Sequence, residues 1–420
     1  MPELVKLVGD ARARMLFCGP EFAATAAELA EQVPGVREPV VLEPGEDAWL
    51  GDCSEEDPRR DGDFQAVVLQ LYTSGTTGLP KGVQTTNANL SLLSSGVAEQ
   101  WSVDASSVSL VAMPLFHIGG MGWLLVGLSN RAHNVLIKEI EPEALLDTIE
   151  GEGVTNAFLV PTVLQMMCAV PGADERDFSS LRSIAYGASA ITTTALKAAL
   201  ATFGCPLYQV YGMTETTGAI VQLAADDHDP DGPRAHLLRS AGKPYPWMEL
   251  EVIDPSSGQT LPANEVGEVR VRGGSVTPGY FDNEEETAAT IDEDGWLLTG
   301  DGGYLDEEGY LFLTDRIKDM IVSGAENIYP AEVEDVLAQH PEVSEVAVFG
   351  TPDERWGETV TAAVVGHNGA EPSDDELTEF ARERLAGYKL PRTIHLVSEL
   401  PKTATGKVSK KDLREQFGQG

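Results

Sequence analysis

The sequence predicts an α/β protein in three parts: a large N-terminal domain of helix-flanked β-sheets, a small β-subdomain or distorted barrel, and a small α+β C-terminal domain. Strand-like and helix-like segments alternate as far as Arg239, which is typical of sheets covered by helices. Short strands separated by turns follow from Trp247 to Thr314. After Lys318, a unit of about a hundred residues has its own order of helices and strands.

The first elements alternate helix and strand, as if the chain began in the middle of a domain. We expect helices at Pro2–Ala11 and Glu21–Gln32, and strands at Arg14–Phe17 and Pro39–Leu42. The acidic segment Gly45–Asp63, which contains glycine and proline, is typical of a linker.

The alternation continues after this linker. An apolar strand at Ala66–Leu71 leads into a Ser/Thr/Gly loop, and a helix is expected at Asn87–Glu99. Further strands are expected at Ser109–Met113, Ala157–Val160, Ser183–Tyr186 and Leu207–Val210, and further helices at Pro142–Glu150 and Thr192–Thr202.

The C-terminal part has a different order. We expect helices at Pro330–Gln339 and Ser373–Leu385, strands at Glu345–Phe349, Val360–Val365 and Thr393–Val397, and a last short helix. A domain boundary is therefore predicted near Asp315–Asp319.

The charge of the chain excludes some classes of partner. With 29 Lys and Arg against 67 Asp and Glu, the formal net charge is −38. Nucleic acids and anionic lipid surfaces attract basic patches, so we expect no nucleic-acid partner and no binding to anionic membranes. An acidic surface favours solubility and suggests adaptation to a salty cytoplasm.

The cysteines and apolar runs point to a cytoplasmic protein. Cys18, Cys53, Cys168 and Cys205 are widely separated, so neither a disulfide framework nor a zinc site is indicated. The N-terminus lacks the layout of a secretory signal, and apolar runs such as Met121–Leu128 are too short to span a bilayer. We therefore expect a reducing compartment and no integral membrane contact.

The Ser/Thr/Gly loop is a candidate phosphate site. It runs Tyr72-Thr73-Ser74-Gly75-Thr76-Thr77-Gly78-Leu79-Pro80-Lys81-Gly82. It is not a Walker A loop, because Pro80 stands in place of the second glycine and Gly82 follows the lysine. Hydroxyls and unencumbered backbone N–H groups can still bind phosphate oxygens, and Lys81 adds a positive charge.

A second lysine lies near the C-terminus. Lys407 follows Gly406, and a lysine beside a glycine can bring a compact positive charge to a phosphorus centre. The loop and Lys407 together predict an adenylating site.

These motifs resemble the superfamily of acyl- and aryl-CoA synthetases, luciferases and nonribosomal adenylation domains. The loop matches its signature almost letter for letter, and the resemblance runs from about residue 65 to 415. The other matching motifs are, in family order, Tyr211-Gly212-Met213-Thr214-Glu215, Gly295–Asp301, Asp315-Arg316-Ile317-Lys318-Asp319, Ser323–Glu334 and Pro401–Lys407.

The resemblance implies a nucleotide site in the larger domain. The tyrosine at the position of Tyr211, beside Gly212, lies against adenine, Thr214 contacts the α-phosphate, and Glu215 binds Mg²⁺, a cation suited to oxygen ligands. Tyr186-Gly187-Ala188-Ser189 occupies the place of a Gly-Gly-Ala-Pro-like turn that lines the adenine and acyl pockets.

The resemblance also implies roles for residues nearer the C-terminus. Asp301 binds the ribose hydroxyls, and Arg316 contacts ribose or phosphate. Lys318 is the hinge between a large domain at residues 1–317 and a small mobile domain at 319–420. Lys407 stabilises the pentavalent α-phosphorus, whereas Lys402, Lys410 and Lys411 are interpreted as a solvated basic run.

The acceptor and the acid are implied less directly. Gly324, in the turn Ser323-Gly324-Ala325, lines a tunnel for pantetheine, where a side chain would block passage. His117 falls where amino-acid-activating relatives have an aspartate that binds the amine, so an acid without an amino group is the expected substrate. In acyl-CoA synthetases this position packs near the acyl carbonyl, and Gly119, Gly120 and Gly122 leave room for the chain.

The residues alone also suggest a metal triplet, Asp227-His228-Asp229. An acidic solvated loop is the interpretation that we prefer.

The overall expectation is an acid:CoA ligase that uses ATP, Mg²⁺ and coenzyme A on a fatty or related acyl acid. It would form acyl-AMP and pyrophosphate, then acyl-CoA and AMP. Two alternatives stay open, an enzyme that loads a separate carrier protein and an inactive nucleotide-binding homologue. Relatives usually have about another hundred residues before the start of this chain, so we expect either a truncated start or adaptation by association, such as a homo-oligomer.

Overall fold

The computed structural model describes residues 1–42, 54, 56, 62–74, 80–189, 191–323, 326–353, 355–402 and 408–418. The helices are α1 (Pro2–Asp10), α2 (Ala23–Gln32), α3 (Asn87–Ala98), α4 (Ile118–Ser129), α5 (Pro142–Gly151), α6 (Pro161–Cys168), α7 (Thr193–Phe203), α8 (Glu284–Thr290), α9 (Pro330–Leu337), α10 (Asp374–Arg382) and α11 (Lys410–Phe417). None of these helices combines the length and apolar character needed to span a bilayer.

The strands are β1 (Phe17–Cys18), β2 (Val40–Val41), β3 (Val67–Ser74), β4 (Pro80–Thr86), β5 (Val108–Val111), β6 (His133–Leu136), β7 (Asn156–Leu159), β8 (Ser183–Gly187), β9 (Leu207–Met213), β10 (Gly218–Leu223), β11 (Lys243–Pro244), β12 (Met248–Ile253), β13 (Gly267–Gly273), β14 (Leu297–Leu305), β15 (Leu311–Arg316), β16 (Ile321–Ser323), β17 (Glu326–Ile328), β18 (Val343–Asp353), β19 (Gly357–Gly366) and β20 (Thr393–Leu396).

The chain divides into two compact units. The first comprises residues 1–238, 244–248 and 272–295, and the second comprises residues 239–243, 249–271 and 296–420. Residues 249–271 thus belong to the same compact unit as the C-terminal part. The predicted hinge at Lys318 stays a prediction.

The centre of the first unit is a mostly parallel sheet. Strands β6, β5, β7, β8 and β9 lie side by side in this order and are parallel, and β10 adds to β9 in the antiparallel direction. Every residue of β7 and β8 is buried, as expected of central parallel strands that helices cover on both faces. Helices α5, α6 and α7 pack in sequence, and α3 packs on α4. The predicted α/β fold is confirmed.

Two smaller sheets complete the first unit. The predicted N-terminal strands are present but short, and β1 pairs with β2 in parallel. Strands β3 and β4 form an antiparallel hairpin that carries the Ser/Thr/Gly loop. This hairpin leads directly into α3.

Helix α3 begins at a buried cap. The Thr86 hydroxyl accepts the Asn89 N–H at 3.2 Å, and the Asn89 side chain accepts the Thr86 N–H at 2.9 Å. The Asn89 amide also donates to the carbonyls of Gly274 and Val276, at 2.7 and 3.0 Å. One side chain therefore both starts the helix and fixes it to a distant loop.

The described residues of the second unit form two sheets. Strands β12, β13, β14 and β15 form a four-stranded sheet in this order, in the region predicted as a β-subdomain. The other sheet has the order β17, β16, β19, β18, with β20 parallel to β19. Neighbouring residues of β18 enter different cores, because Val348 packs with α9 and α10 whereas Phe349 packs with Leu413 of α11.

Candidate active site

The hairpin places two predicted phosphate contacts opposite each other. Thr73 pairs with Lys81, and Ser74 pairs with Pro80, at the end of the β3–β4 ladder next to the residues that connect the two strands. Only the backbone of Ser74 is described. Gly75, Thr76, Thr77 and Gly78 lie outside the described residues, so their predicted phosphate contacts stay predictions.

Lys81 is buried, with 9% of its side chain exposed. Its ammonium group forms an ion pair with Glu286 of α8 and lies 5.3 Å from the centroid of the Tyr280 ring. In this structure the lysine therefore has an acidic partner where the sequence suggested a phosphate. Its contact with phosphate stays a prediction.

The Tyr186–Ser189 turn follows β8 at the carboxyl end of the sheet, the edge where open α/β sheets bind ligands. A Cβ atom on Gly187 would lie 2.4 Å from the carbonyl oxygen of Val210, so only glycine fits there. Ala188 is exposed and has a left-handed backbone, with φ of +69°, which is unfavourable for a residue with a side chain. A strained residue thus stands where the resemblance places the adenine turn.

Tyr211 and Gly212 lie near the end of β9, the strand beside β8. Tyr211 is half-buried. A Cβ atom on Gly212 would lie 1.9 Å from the carbonyl oxygen of Gly218, so this glycine permits the close approach of β9 and β10. The role of Gly212 in the structure is steric, and the adenine contact of Tyr211 stays a prediction.

Thr214 and Glu215 follow β9 in a short 3₁₀ helix, Thr214–Thr216. The hydroxyl of Thr216 donates to the carbonyls of Met213 and Gly218, which fixes this turn. The Glu215 carboxylate is buried, with 7% of the residue exposed, and Oε1 accepts a hydrogen bond from the Tyr280 hydroxyl at 3.1 Å.

The surroundings of Glu215 fit a bound cation. Within the described ranges, no lysine, arginine or histidine forms an ion pair with this carboxylate, and a buried charge needs a compensating partner. No group of three or more His, Cys, Asp or Glu residues that could hold a metal occurs in the same ranges. Mg²⁺ is commonly held by one or two carboxylates and the substrate phosphates, so this donor set suits it.

His117 is the residue before α4 and provides its N-cap. The carbonyl of His117 accepts the Met121 N–H at 2.9 Å, and the His117 ring lies 4.4 Å from that of Phe116, which is exposed. Gly119 faces Phe158, since a Cβ atom there would lie 3.0 Å from the ring. The region predicted to surround the acyl group is thus partly aromatic.

His228 is not in a solvated loop, so that interpretation was wrong. It is 7% exposed, and its Nε2 atom lies 2.9 Å from the Tyr186 hydroxyl. Its Nδ1 atom lies 2.8 Å from the carbonyl of Ala224, which can only accept, so Nδ1 carries the proton and Nε2 accepts from Tyr186. Burial lowers the pKa of His228 and raises that of Tyr186.

The Tyr186–His228 pair lies at the start of the Tyr186–Ser189 turn and was not predicted from the sequence. The signal was the unusual tyrosine in the turn, which needs a partner for its hydroxyl once it is buried.

The second unit holds the remaining predicted residues. Asp301 of β14 pairs in backbone register with Arg316 of β15. Burial, and then the nearby charge of Asp301, raise the pKa of Glu268, whose carboxylate accepts the Gly300 N–H at 3.2 Å. The side chain of Arg316 is outside the described part of the structure.

The other predicted residues of this unit are described only in part. Lys318 lies in the short helix Ile317–Asp319. The side chain of Lys318 is outside the described part of the structure. Ser323 is buried at the end of β16, and Gly324 and Lys407 lie outside the described residues. Lys410 does not belong to a solvated run, because it is 15% exposed and forms an ion pair with Glu334 at 2.9 Å.

Comparison with known families identifies the class of the chain. Residues 2–281 match the model of the AMP-binding enzyme family, and residues 332–407 match that of the AMP-binding enzyme C-terminal domain. The chain therefore belongs to the AMP-binding enzymes, the adenylate-forming superfamily that the sequence motifs predicted.

Individual relatives agree with this class. The chain is 38% identical to the fatty acid–[acyl-carrier-protein] ligase ScoC of Streptomyces coeruleorubidus, over 99% of this chain and 80% of the relative. It is 37% identical to a feruloyl-CoA synthase of an Amycolatopsis species, over 100% and 82% of the two chains. The structure of ATP-bound MatB from Rhodopseudomonas palustris matches with a TM-score of 0.89 at 30% identity, covering 99% and 81% of the two chains. The predicted enzyme class is thus confirmed.

Proposed function

We propose that this protein activates a carboxylic acid with ATP and Mg²⁺ and then joins the acyl group to coenzyme A. In the first step the substrate carboxylate attacks the α-phosphorus of ATP, and pyrophosphate leaves. In the second step the thiol attacks the carbonyl carbon of the acyl-adenylate, and AMP leaves. The observation that carries this proposal is Glu215, a buried carboxylate at the carboxyl edge of the sheet that forms no ion pair with a described lysine, arginine or histidine.

The chain's own residues bind and orient the nucleotide. We assign the phosphates to Thr73, Ser74, Gly75, Thr76, Thr77, Gly78, Lys81 and Thr214, the adenine to Gly187, Ala188, Tyr211 and Gly212, and the ribose to Asp301 and Arg316. Glu215 would hold Mg²⁺, which neutralises phosphate charge when bound. Lys407 stabilises the negative charge that develops around the α-phosphorus.

The second step uses the C-terminal part. Lys318 acts as the hinge between residues 1–317 and 319–420, and Ser323 and Gly324 line the pantetheine path. This assignment follows the motif order of the superfamily.

The acid lacks an amino group and is a fatty or related acyl acid. A histidine at position 117 cannot supply the fixed negative charge that an ammonium group requires. The Phe158 ring beside Gly119 makes this region apolar, which suits an apolar acyl group.

A carrier protein is the second candidate for the acceptor. ScoC, which is 38% identical to this chain, is named as an acyl-carrier-protein ligase. This relative favours the carrier alternative, whereas the feruloyl-CoA synthase favours coenzyme A.

Two assays separate these candidates. Acid-dependent exchange of labelled pyrophosphate into ATP tests the first step, and AMP release with coenzyme A or with a holo-carrier protein tests the second. We expect exchange and coenzyme A-dependent release. Exchange with release only on the carrier would support the second candidate, and absence of exchange across fatty, aryl and branched acids would indicate an inactive homologue.

We also propose that the protein works in the cytoplasm without integral membrane contact, and a homo-oligomer stays one of the states expected from the sequence. The described cysteines Cys18, Cys168 and Cys205 are free thiols, which suits a reducing compartment. Cell fractionation would test the location, and light scattering after size-exclusion chromatography would test the oligomeric state.

A further inference from the structure

Residues 277–286 connect the two parts of the proposed phosphate site, and we call them the bridging segment. The segment lies beside β4. The Phe281 N–H donates to the carbonyl of Gly82 at 2.7 Å, and the Gln84 N–H donates to that of Gly279 at 3.1 Å. Tyr280 forms an isolated bridge with Val83. The bridging segment therefore adds main-chain hydrogen bonds to the hairpin that carries the Ser/Thr/Gly loop.

The same segment also holds Glu215. The Thr277 N–H donates to the main-chain carbonyl of Glu215 at 2.8 Å, and the Tyr280 hydroxyl donates to the Glu215 carboxylate at 3.1 Å. The Thr277 hydroxyl meanwhile donates to the carbonyl of Gln84. One short stretch of chain thus contacts both the backbone and the carboxylate of Glu215, as well as the hairpin.

The ring of Tyr280 is fixed from several sides. Its backbone N–H donates to the hydroxyl of Thr287 at 3.0 Å, in the first turns of α8. Lys81, held by its ion pair with Glu286, lies over the ring. A ring held in this way has little freedom, so the direction of its hydroxyl is set by the fold.

The Tyr280 hydroxyl stays a donor. An ionised carboxylate only accepts hydrogen bonds and a phenol carries a proton at neutral pH, so the Tyr280 hydroxyl donates to Glu215. With one carboxylate oxygen occupied by this hydrogen bond, the carboxylate has a defined orientation.

We propose that Tyr280 is a positioning residue that orients the Glu215 carboxylate for the metal ion of the metal–nucleotide complex, with the Lys81–Glu286 pair holding its ring. This inference rests on the proposed function, because it takes Glu215 as the metal ligand. A purely structural role for the hydroxyl would instead stabilise the fold without changing how metal and nucleotide bind together.

The test uses Tyr280→Phe, which keeps the ring and removes only the hydroxyl. The readout is the metal gain, defined as the dissociation constant of a non-hydrolysable ATP analogue without metal divided by that with saturating Mn²⁺, measured by titration calorimetry. We expect the metal gain to fall about tenfold, because a hydrogen bond to a charged group is lost. Binding of the analogue without metal should change less than twofold.

The matched control is Tyr245→Phe. Tyr245 is a buried tyrosine of the same unit, and its hydroxyl donates to Gln222 at 2.9 Å, away from Glu215. We expect the metal gain of this control to equal that of the wild type. Glu215→Gln should lower the metal gain, and adding Tyr280→Phe to it should cause no further loss, because the two residues act as one unit.

A second variant covers the case in which Tyr280→Phe folds poorly. Glu286→Gln leaves the hydroxyl in place but removes the charge that holds Lys81 over the ring, and a two- to threefold lower metal gain is expected. An unchanged metal gain in Tyr280→Phe would overturn the inference. If Tyr280→Phe cannot be measured, an unchanged metal gain in Glu286→Gln would also overturn it.

Failure of the proposed function would look different. In that case the wild-type protein would show no metal gain and no acid-dependent pyrophosphate exchange, and the role of Tyr280 would fall with it. Exchange by the wild type together with an unaffected Tyr280→Phe variant would overturn the positioning role alone.

Discussion

At the scale of single residues, Lys407 carries the sharpest functional prediction. Replacing Lys407 by alanine should lower the rate of acid-dependent pyrophosphate exchange by about 10²–10³-fold, because charge stabilisation in the first transition state is lost. Thioester formation from supplied acyl-adenylate should fall much less. Single-turnover measurement of the two half reactions checks this prediction.

Lys402→Ala is the matched control for this experiment. Lys402 lies in the same motif but forms an exposed ion pair with Glu345 at 2.9 Å. Such pairs contribute about 0–1 kcal/mol, so activity and stability should both be preserved. Equal losses in the two variants would contradict a specific role for Lys407.

His228 gives a prediction for stability against pH. Burial lowers its pKa in the folded state, so the unfolded chain takes up a proton first as the pH falls below about 6.5. The free energy of unfolding should therefore decrease with falling pH, by up to about 1.4 kcal/mol per pH unit, until the folded-state pKa is reached. His228→Gln should remove this part of the pH dependence.

Urea unfolding of the wild type and the variant at pH 7.5 and 5.5 measures this effect. His133→Gln, which changes an exposed histidine, serves as the control and should leave the pH dependence unchanged. A His228→Gln variant with the same loss of stability on acidification as the wild type would contradict the prediction.

Residue identity could be predicted from motifs, but residue environment could not. The motif around Glu215 gave the position of a carboxylate, whereas its burial and its bond to Tyr280 depend on a segment more than sixty residues away. The burial of His228 was hidden because flanking aspartates are typical of exposed loops. Pairings across long sequence separations have no local signal.

At the scale of elements, the cap of α3 is the most testable feature. Asn89→Ala removes the acceptor for the Thr86 N–H and leaves the carbonyls of Gly274 and Val276 without their donor. We expect a loss of about 2–4 kcal/mol, since loss of a cap costs about 1 kcal/mol and unsatisfied buried groups cost more. Thermal unfolding at pH 7.5 measures the loss.

Ser373→Ala tests a cap of the same kind in an exposed setting. Ser373 forms a capping box with Glu376 at the start of α10. Only about 1 kcal/mol should be lost there, because water can replace the missing hydrogen bonds. If both variants lost the same amount, the two carbonyls beside Asn89 would contribute nothing.

Some elements were predicted closely, and others were missed. The predicted helix at Asn87–Glu99 is α3, and the predicted strand at Ser183–Tyr186 is β8. Helix α4 was not recognised, because it is rich in glycine, apolar on most sides and covered by other elements. Strands β16 and β17 are three residues long, too short for an alternating pattern to appear.

At the scale of the whole molecule, the net charge of −38 predicts a response to salt. Acidic groups repel one another in the compact state, and ions screen this repulsion over about 10 Å at 0.1 M ionic strength. Raising KCl from 0.05 to 1 M shortens the screening length from above about 10 Å to about 3 Å, and should therefore raise the melting temperature. Differential scanning calorimetry at constant pH measures the shift.

Tetramethylammonium chloride provides a control, because screening depends on ionic strength more than on the identity of the cation. Similar shifts with both salts would support screening. A melting temperature that stayed constant or fell with both salts would contradict it.

The bridging segment has a practical consequence for recombinant hybrids of related enzymes. A crossover between residues 216 and 276 would take Glu215 from one parent and Tyr280 from the other. It would also divide between the two parents the hydrogen bonds that join Gly82 and Gln84 to the bridging segment. Side chains that evolved in different parents would then meet around the carboxylate of Glu215. A junction after residue 295 keeps all of these partners from a single parent, and is the safer place to exchange segments.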